Sequence, residues 1–226
     1  MNLDRLTALA DRGRAMTRRP ENRGDWYRIG NVAADRAELF IYGPIGDDWS
    51  QDSVPAASFV KDLRAITAPS IDLHINSPGG LVFDGVAIYS ALRNHPSTVD
   101  VSVDGIAASA ASFVAMAGDT IAIEKPAKMM IHNAGGMVLG GAQDMRAMAD
   151  LLDELSATIA GIYADRTGKP AAQWLEAMGA ETWYGAEAAV AAGLADRVVG
   201  DSNVSAPVDR RSQLIRARAR VHLKER

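Results

Sequence analysis

Ser109 stands where a strand-like run, Val99 to Val103, gives way at Gly105 to the string Ala107-Ala108-Ser109-Ala110-Ala111-Ser112 and then to an apolar helical run, Phe113 to Met116. A serine in the first turn of a helix that follows a strand sits at a sharp bend. Backbone N–H groups there lack partners and favour negative charge. Such a place can hold a nucleophile beside an oxyanion pocket. The pattern is not the Gly-x-Ser-x-Gly elbow of α/β-hydrolases. Ser109 also suits a helix N-cap or a close-packed site among alanines, and Ser112, one helical turn on, is a rival hydroxyl.

A serine nucleophile needs a base, and four histidines are available: His74, His95, His132 and His222. His222 lies near the C-terminus and His95 at a helix end beside Pro96, so both are expected to be solvated. His74 is mid-strand, where a structural role is the default. His132 ends the apolar run Met129-Met130-Ile131 and precedes a glycine-rich loop. Strand ends of parallel α/β sheets are where sites form. The turn Ser77-Pro78-Gly79-Gly80 also follows a strand. It can offer a backbone N–H to an oxyanion or serve only as a tight turn.

The rest of the composition narrows the chemistry. The chain of 226 residues has no cysteine, which removes disulfides, thiolate metal sites and a cysteine nucleophile. A net charge of −4 gives no global reason to expect nucleic acid. No apolar run reaches the length of a membrane span, and the charged N-terminus has no signal-peptide core, so a cytosolic protein is expected.

The elements that must position these residues follow from periodicity. Ala37 to Tyr42, Ile71 to Asn76 and Thr98 to Val103 read as strands. Pro55 sits at a helix start whose apolar face is Phe59, Val60, Leu63 and Ile66. Val82 to Leu92 is the next helix. This alternation implies right-handed βαβ units and a largely parallel sheet. Thr120 to Ile123, Lys128 to His132 and Leu194 to Val199 are further strands. Gly46 to Gln51 is a polar loop, and Gly135, Gly136, Gly140 and Gly141 mark a glycine-rich one. Ala142 to Arg166 is the longest helical pattern, with Met145, Met148, Leu152, Leu155, Ile159 and Ile162 at spacings of three and four. Leu151 and Tyr163 beside that stripe suggest an interface. Short helices to Met178 and from Ala186 to Ala192 follow. Residues 1–25 read as a flexible charged arm, 26–200 as the domain, and 201–226 as a basic flexible tail.

Several stretches recur in a telling order: Asn76-Ser77-Pro78-Gly79-Gly80, Gly105-x-Ala107-Ala108-Ser109, Met130-Ile131-His132, and Glu187-Ala188 with Gly193-Leu194-Ala195-Asp196. From Ala37 to Val199 the chain resembles the proteolytic subunit of the Clp protease family, and the interval from Gly80 to Ser109 matches without a gap. Within that family, Ile41-Tyr42-Gly43, Val82-Phe83-Asp84-Gly85, Ala107 to Ser112 and Glu181-Thr182-Trp183 are most similar to the phage head-maturation (prohead) proteases. The resemblance implies an α/β, crotonase-like Clp fold with repeated ββα units, a mainly parallel sheet and a projecting handle helix. It implies a serine endopeptidase without metal or organic cofactor. Ser109 would be the nucleophile, His132 the general base, and Gly80 and Ala110 the oxyanion donors. The family usually has an aspartate where counting back from Gly193 lands on Glu181. Glu181 is therefore the expected third member, with Asp119, Asp150 and Asp153 as rivals. Gly135, Gly136 and Met137 would pair with an extended polypeptide substrate. The long helix would be the handle through which two rings, heptameric in the family, stack.

The implied role is cleavage of phage capsid or scaffold proteins during head maturation, in the bacterial host cytosol or the prohead. The alternatives are a degradative Clp peptidase fed by an ATP-driven unfoldase, a non-catalytic ring-forming assembly protein, and a crotonase-type acyl-CoA enzyme. The last needs oxyanion N–H groups but no serine–histidine pair. Clp subunits that work with an unfoldase use short N-terminal loops and apolar surface pockets. The charged arm and basic tail are unlike such loops, so hydrolysis without ATP and self-trimming of the termini are expected.

Overall fold

Leu39 and Ile41, Leu73 and Ile75, and Val101 and Val103 stand at alternate positions of three strands, and all six are buried. That period of two decides which sheet face the helices cover. The computed structural model describes residues 26–32, 35–46 and 56–201. The arm, the tail with His222, most of the polar loop at 46–51 and Pro55 lie outside the described residues. The elements run β1 (Tyr27–Val32), β2 (Arg36–Tyr42), α1 (Ala56–Ala65), β3 (Ser70–Ser77), α2 (Val82–Arg93), β4 (Thr98–Ala108), α3 (Ala110–Ala115), β5 (Thr120–Ile123), β6 (Lys128–Ile131), α4 (Ala142–Thr167), α5 (Ala171–Gly179), β7 (Thr182–Gly185), α6 (Ala186–Ala192) and β8 (Arg197–Val198).

The sheet order is β1-β2-β3-β4-β5-β8, with β6 on β4 and β7 on β6. Pairs from β2 through β5 and β8 are parallel, as is β4 with β6. Among the described residues only β1–β2 and β6–β7 are antiparallel. The expected α/β fold with a mainly parallel sheet is therefore what forms. Among the described residues no helix is long and apolar enough to cross a membrane.

Three local readings need correction, and one strand went unread. β4 does not stop at Val103 but runs to Ala108. It pairs with β5 over Asp100 to Val103 and with β6 over Ile106 to Ala108, so it changes partner at Asp104-Gly105. Its register on β3 also slips there, from Ile75–Val103 to Ser77–Ala107. A Cβ at Gly105 would come within 2.7 Å of Asn76 Oδ1, so the bend tolerates no side chain without a shift. β1 was not legible because Gly30-Asn31 interrupts its apolar pattern. The strand expected over Leu194 to Val199 shrinks to Arg197–Val198. His95 is buried, not solvated, and its Nδ1 accepts the Ser97 N–H at 3.2 Å.

The face of the sheet opposite the buried one carries a polar ladder. Arg28 lies 4.2 Å over the Phe40 ring, and Phe40 stacks on His74 at 4.9 Å. His74 Nδ1 lies 2.9 Å from Asp104, which also accepts from Ser102 at 2.8 Å and from Tyr42. This assigns His74 the structural role that its mid-strand position suggests.

Helix α4 divides into two halves. Ser156, Ile159, Ala160, Ile162, Tyr163 and Arg166 are buried, whereas its first half, with Met145 and Leu151, is exposed. Tyr163 thus belongs to the core of the domain and not to an outer face. Arg166 ties the buried half to the sheet. It donates to Gly118 O at 2.7 Å and to Asp196 at 2.5 Å, and Asp196 also accepts the Ile121 N–H at 2.7 Å. Asp196→Ala removes a carboxylate to which the buried Arg166 guanidinium donates, a change that costs about 3–5 kcal/mol in comparable settings. The expected result is a clearly lower urea midpoint than in the parent chain.

Candidate active site

Ser109 occupies the junction of β4 and α3 with φ 53° and ψ −124°. That positive φ is rare for a residue with a side chain. Its N–H donates to Met130 O at 2.9 Å, which stitches the junction to β6. Its carbonyl accepts the Ser112 N–H at 3.0 Å and the Ser112 hydroxyl at 2.5 Å. The side chain makes no capping bond to its own helix. Instead Ser109 Oγ lies 2.7 Å from His132 Nε2.

The pairing of β4 with β6 makes this contact possible. Ala108 sits beside Met130, so the residues just beyond each strand, Ser109 and His132, emerge at the same carboxyl-terminal edge. The backbone after His132 is held on both sides. Asn133 N–H donates to Met178 O at 3.2 Å, and Ala134 N–H donates to Ser156 Oγ at 3.0 Å. Ser156, which in turn donates to Leu152 O, was missed by sequence reasoning; a lone serine within the apolar face of α4 is its only signal. Burial pushes the His132 pKa below its ordinary value, and the negative charge of Glu181 partly offsets that shift.

The other expected residues are distributed as follows. Gly79 has φ +97°, and a Cβ there would lie 2.6 Å from Ser109 Cβ and 2.8 Å from Ala110 N. The Ser-Pro-Gly-Gly turn is thus packed directly against the start of α3. Ser77 fixes the turn by donating to Gly43 O at 2.6 Å and accepting the Gly79 N–H at 3.1 Å. Gly80 forms a parallel bridge with Ile45, in which Ile45 bonds to Gly79 and Leu81. In that pattern the N–H of Gly80 itself points away from Ile45. Ala110 is the first residue of α3, where N–H groups have no intrahelical acceptor. Gly135, Gly136 and Met137 lie in a stretch without regular structure between His132 and α4. All three are exposed, Met137 by 93%.

Glu181 sits between α5 and β7 with φ 51° and is exposed. Among the described residues no hydrogen bond joins it to His132; it acts on the imidazole only as a nearby charge. Its Oε1 lies 3.5 Å from Trp183 Nε1, a weak contact. Of its rivals, Asp119 accepts the Val99 N–H at the opposite end of β4, and Asp150 and Asp153 lie on the exposed half of α4. Ser112 is fully buried and bonded to Tyr163 OH at 2.7 Å, so it is not open to a substrate. Among the described residues no cluster of histidines and carboxylates is arranged to hold a metal ion.

Ser109 thus sits on a strained strand–helix junction, hydrogen-bonded to a histidine at the carboxyl edge of the mainly parallel sheet of an α/β protein. The Clp protease family model matches residues 21–202, and the chain belongs to that family of serine peptidases. It is 28% identical to the ATP-dependent Clp protease proteolytic subunit of Pleurastrum terricola over 184 residues, 80% of this chain and 92% of that protein. It is 36% identical to proteolytic subunit 3 of Streptomyces coelicolor over 155 residues, 66% of this chain and 71% of that one. Against proteolytic subunit 2 of Chlamydia muridarum the identity is 33% over 135 residues, 58% and 66% of the two chains.

The electrostatics give a sign that can be measured. The midpoint for His132, followed through its imidazole C–H resonances, is expected below 6.5. Glu181→Gln removes the one charge among the described residues that raises it, so the midpoint should fall further. A midpoint that rises in Glu181→Gln contradicts this account.

Proposed function

We propose that this chain is a serine endopeptidase in which Ser109 is the nucleophile and His132 the general base. The observation that carries the reading is the 2.7 Å contact between Ser109 Oγ and His132 Nε2 at the strained junction. Neutral His132 takes the hydroxyl proton as Oγ attacks the peptide carbonyl. The N–H groups of Gly80 and Ala110 receive the oxyanion. His132 then returns the proton to the departing amine, and water discharges the acyl-enzyme by the same route. Loss of one oxyanion donor typically costs about 10²–10³ in turnover, so the backbone here carries much of the catalysis. Glu181 supports the imidazolium through space. The exposed segment with Gly135, Gly136 and Met137 holds extended polypeptide by backbone pairing.

The relatives, ATP-dependent Clp protease proteolytic subunits, support a degradative subunit that assembles into a closed homo-oligomeric ring and receives substrate from an ATP-driven unfoldase. Heptameric rings stacked through the exposed half of α4 fit that reading. Head maturation, with capsid or scaffold protein as substrate, is the second reading. It rests on the short stretches Ile41-Tyr42-Gly43, Val82-Phe83-Asp84-Gly85, Ala107 to Ser112 and Glu181-Thr182-Trp183.

Ser109→Ala is expected to abolish peptide hydrolysis and labelling by a fluorophosphonate while the fold persists. Ser112→Ala should keep both, at a reduced rate. Full activity in Ser109→Ala would overturn the assignment. Incubating the purified protein with a folded and an unstructured substrate, with and without a Clp unfoldase and ATP, separates the two roles. The degradative role predicts loss of the folded substrate only when unfoldase and ATP are both present. Cleavage of scaffold-like polypeptide without either, with trimming of the chain's own termini, favours head maturation.

A further inference from the structure

The carbonyl of Ser109 and the N–H of Ala110 are opposite ends of one planar trans peptide, so fixing the carbonyl fixes the direction of the N–H. That carbonyl accepts two bonds, both from Ser112: its N–H at 3.0 Å and its hydroxyl at 2.5 Å. A serine hydroxyl has one proton. Since it goes to Ser109 O, the 2.7 Å contact between Ser112 Oγ and Tyr163 OH must be donated by the tyrosine. Burial holds the Tyr163 phenol above its ordinary range, so it keeps that proton at any working pH. Ser112 is 0% exposed and Tyr163 1%, so no solvent is at hand to replace either group. Tyr163 is itself fixed against Trp174, with ring centroids 5.4 Å apart.

We propose that Ser112 and Tyr163 are positioning residues for the oxyanion peptide: a relay from the Tyr163 hydroxyl through the Ser112 hydroxyl to the Ser109 carbonyl aims the Ala110 N–H at the developing oxyanion. The proposal rests on the reading of Ser109 as nucleophile and Ala110 as oxyanion donor. It joins the buried half of α4 to the reacting centre through two hydroxyls. It also gives both buried hydroxyls the partner that an interior polar group requires.

The test compares the parent protein with Tyr163→Phe, Ser112→Ala and the double variant. The measurements are kcat and KM on a fluorogenic peptide, inhibition by a peptide boronate, thermal melting, and fluorophosphonate labelling mapped by mass spectrometry. Tyr163→Phe is nearly isosteric and keeps the relay testable if Ser112→Ala folds poorly. Misaiming an oxyanion donor costs less than removing one, so kcat should fall about threefold in Tyr163→Phe and about tenfold in Ser112→Ala, with KM little changed. The double variant should be no slower than Ser112→Ala, because links in series do not add. The boronate adduct is tetrahedral, so its inhibition constant should rise by the factor by which kcat falls. A lower melting temperature with kcat and boronate affinity unchanged would overturn the relay, provided Ser109 is still labelled. A parent protein not labelled at Ser109 would overturn the nucleophile reading, and the relay with it.

Discussion

The backbone of Ser109 is the constraint on which the other features depend. A residue with a side chain at φ 53° and ψ −124° sits at a cost on the order of 1–3 kcal/mol, and persists only where its surroundings over-determine it. Here they do. Its N–H is held by Met130 and its carbonyl by Ser112, and the Gly79 turn presses against its Cβ. The neighbours must be small for this to fit. Ala107, Ala108, Ala110 and Ala111 are all buried, and a larger residue at any of them would open the junction that turns the Ser109 hydroxyl outward.

The same junction explains the unusual course of β4. A strand with one set of partners would end its sheet where β5 ends, and Ser109 would have no neighbour beyond it. By leaving β5 at Asp104-Gly105 and taking up β6, β4 carries the serine alongside the strand that delivers His132. Parallel pairing matters here, because it brings the carboxyl ends of the two strands to one edge. The polar ladder built around Asp104 lies at this change of partner. It gathers donors from β2, β3 and β4 onto one carboxylate, which ties the three strands together where backbone pairing is interrupted.

Much of this was legible in the sequence, and the reasons differ by residue. The alternation in β2 and β3 reports a sheet buried on one face, and the long period in α4 reports a helix. Both are local signals of burial. The order of Gly79-Gly80, Ser109 and His132 reports the site only through family resemblance, because the contact between Ser109 and His132 depends on β4 and β6 lying side by side. What escaped was whatever depends on long-range packing. The extension of β4 past Gly105 is stabilised by β6, 22 residues on from Ile106 to Lys128. His95 looks like a solvated helix end beside a proline, yet the fold closes over it. Tyr163 read as surface because it lies off the main stripe of α4. It is buried because α3 and α5 cover a second side of the helix, through Ser112 and Trp174.

Glu181 is where resemblance and geometry diverge, and the difference has a physical consequence. A carboxylate bonded directly to the imidazole would both orient the ring and hold its pKa up. Glu181 is exposed and unbonded to His132, so it does less of each. Orientation falls instead to the backbone on either side of the ring, through β6 before it and the bonds of Asn133 and Ala134 after it. Desolvation then governs the charge, and it favours the neutral ring. A neutral imidazole beside a serine hydroxyl is already in the form that accepts a proton, so the site starts from the correct protonation state. What a distant carboxylate gives up is stabilisation of the imidazolium once the proton has moved. In the proposed mechanism that deficit places more of the burden on the oxyanion peptide, and so on the buried hydroxyls proposed to hold it in place.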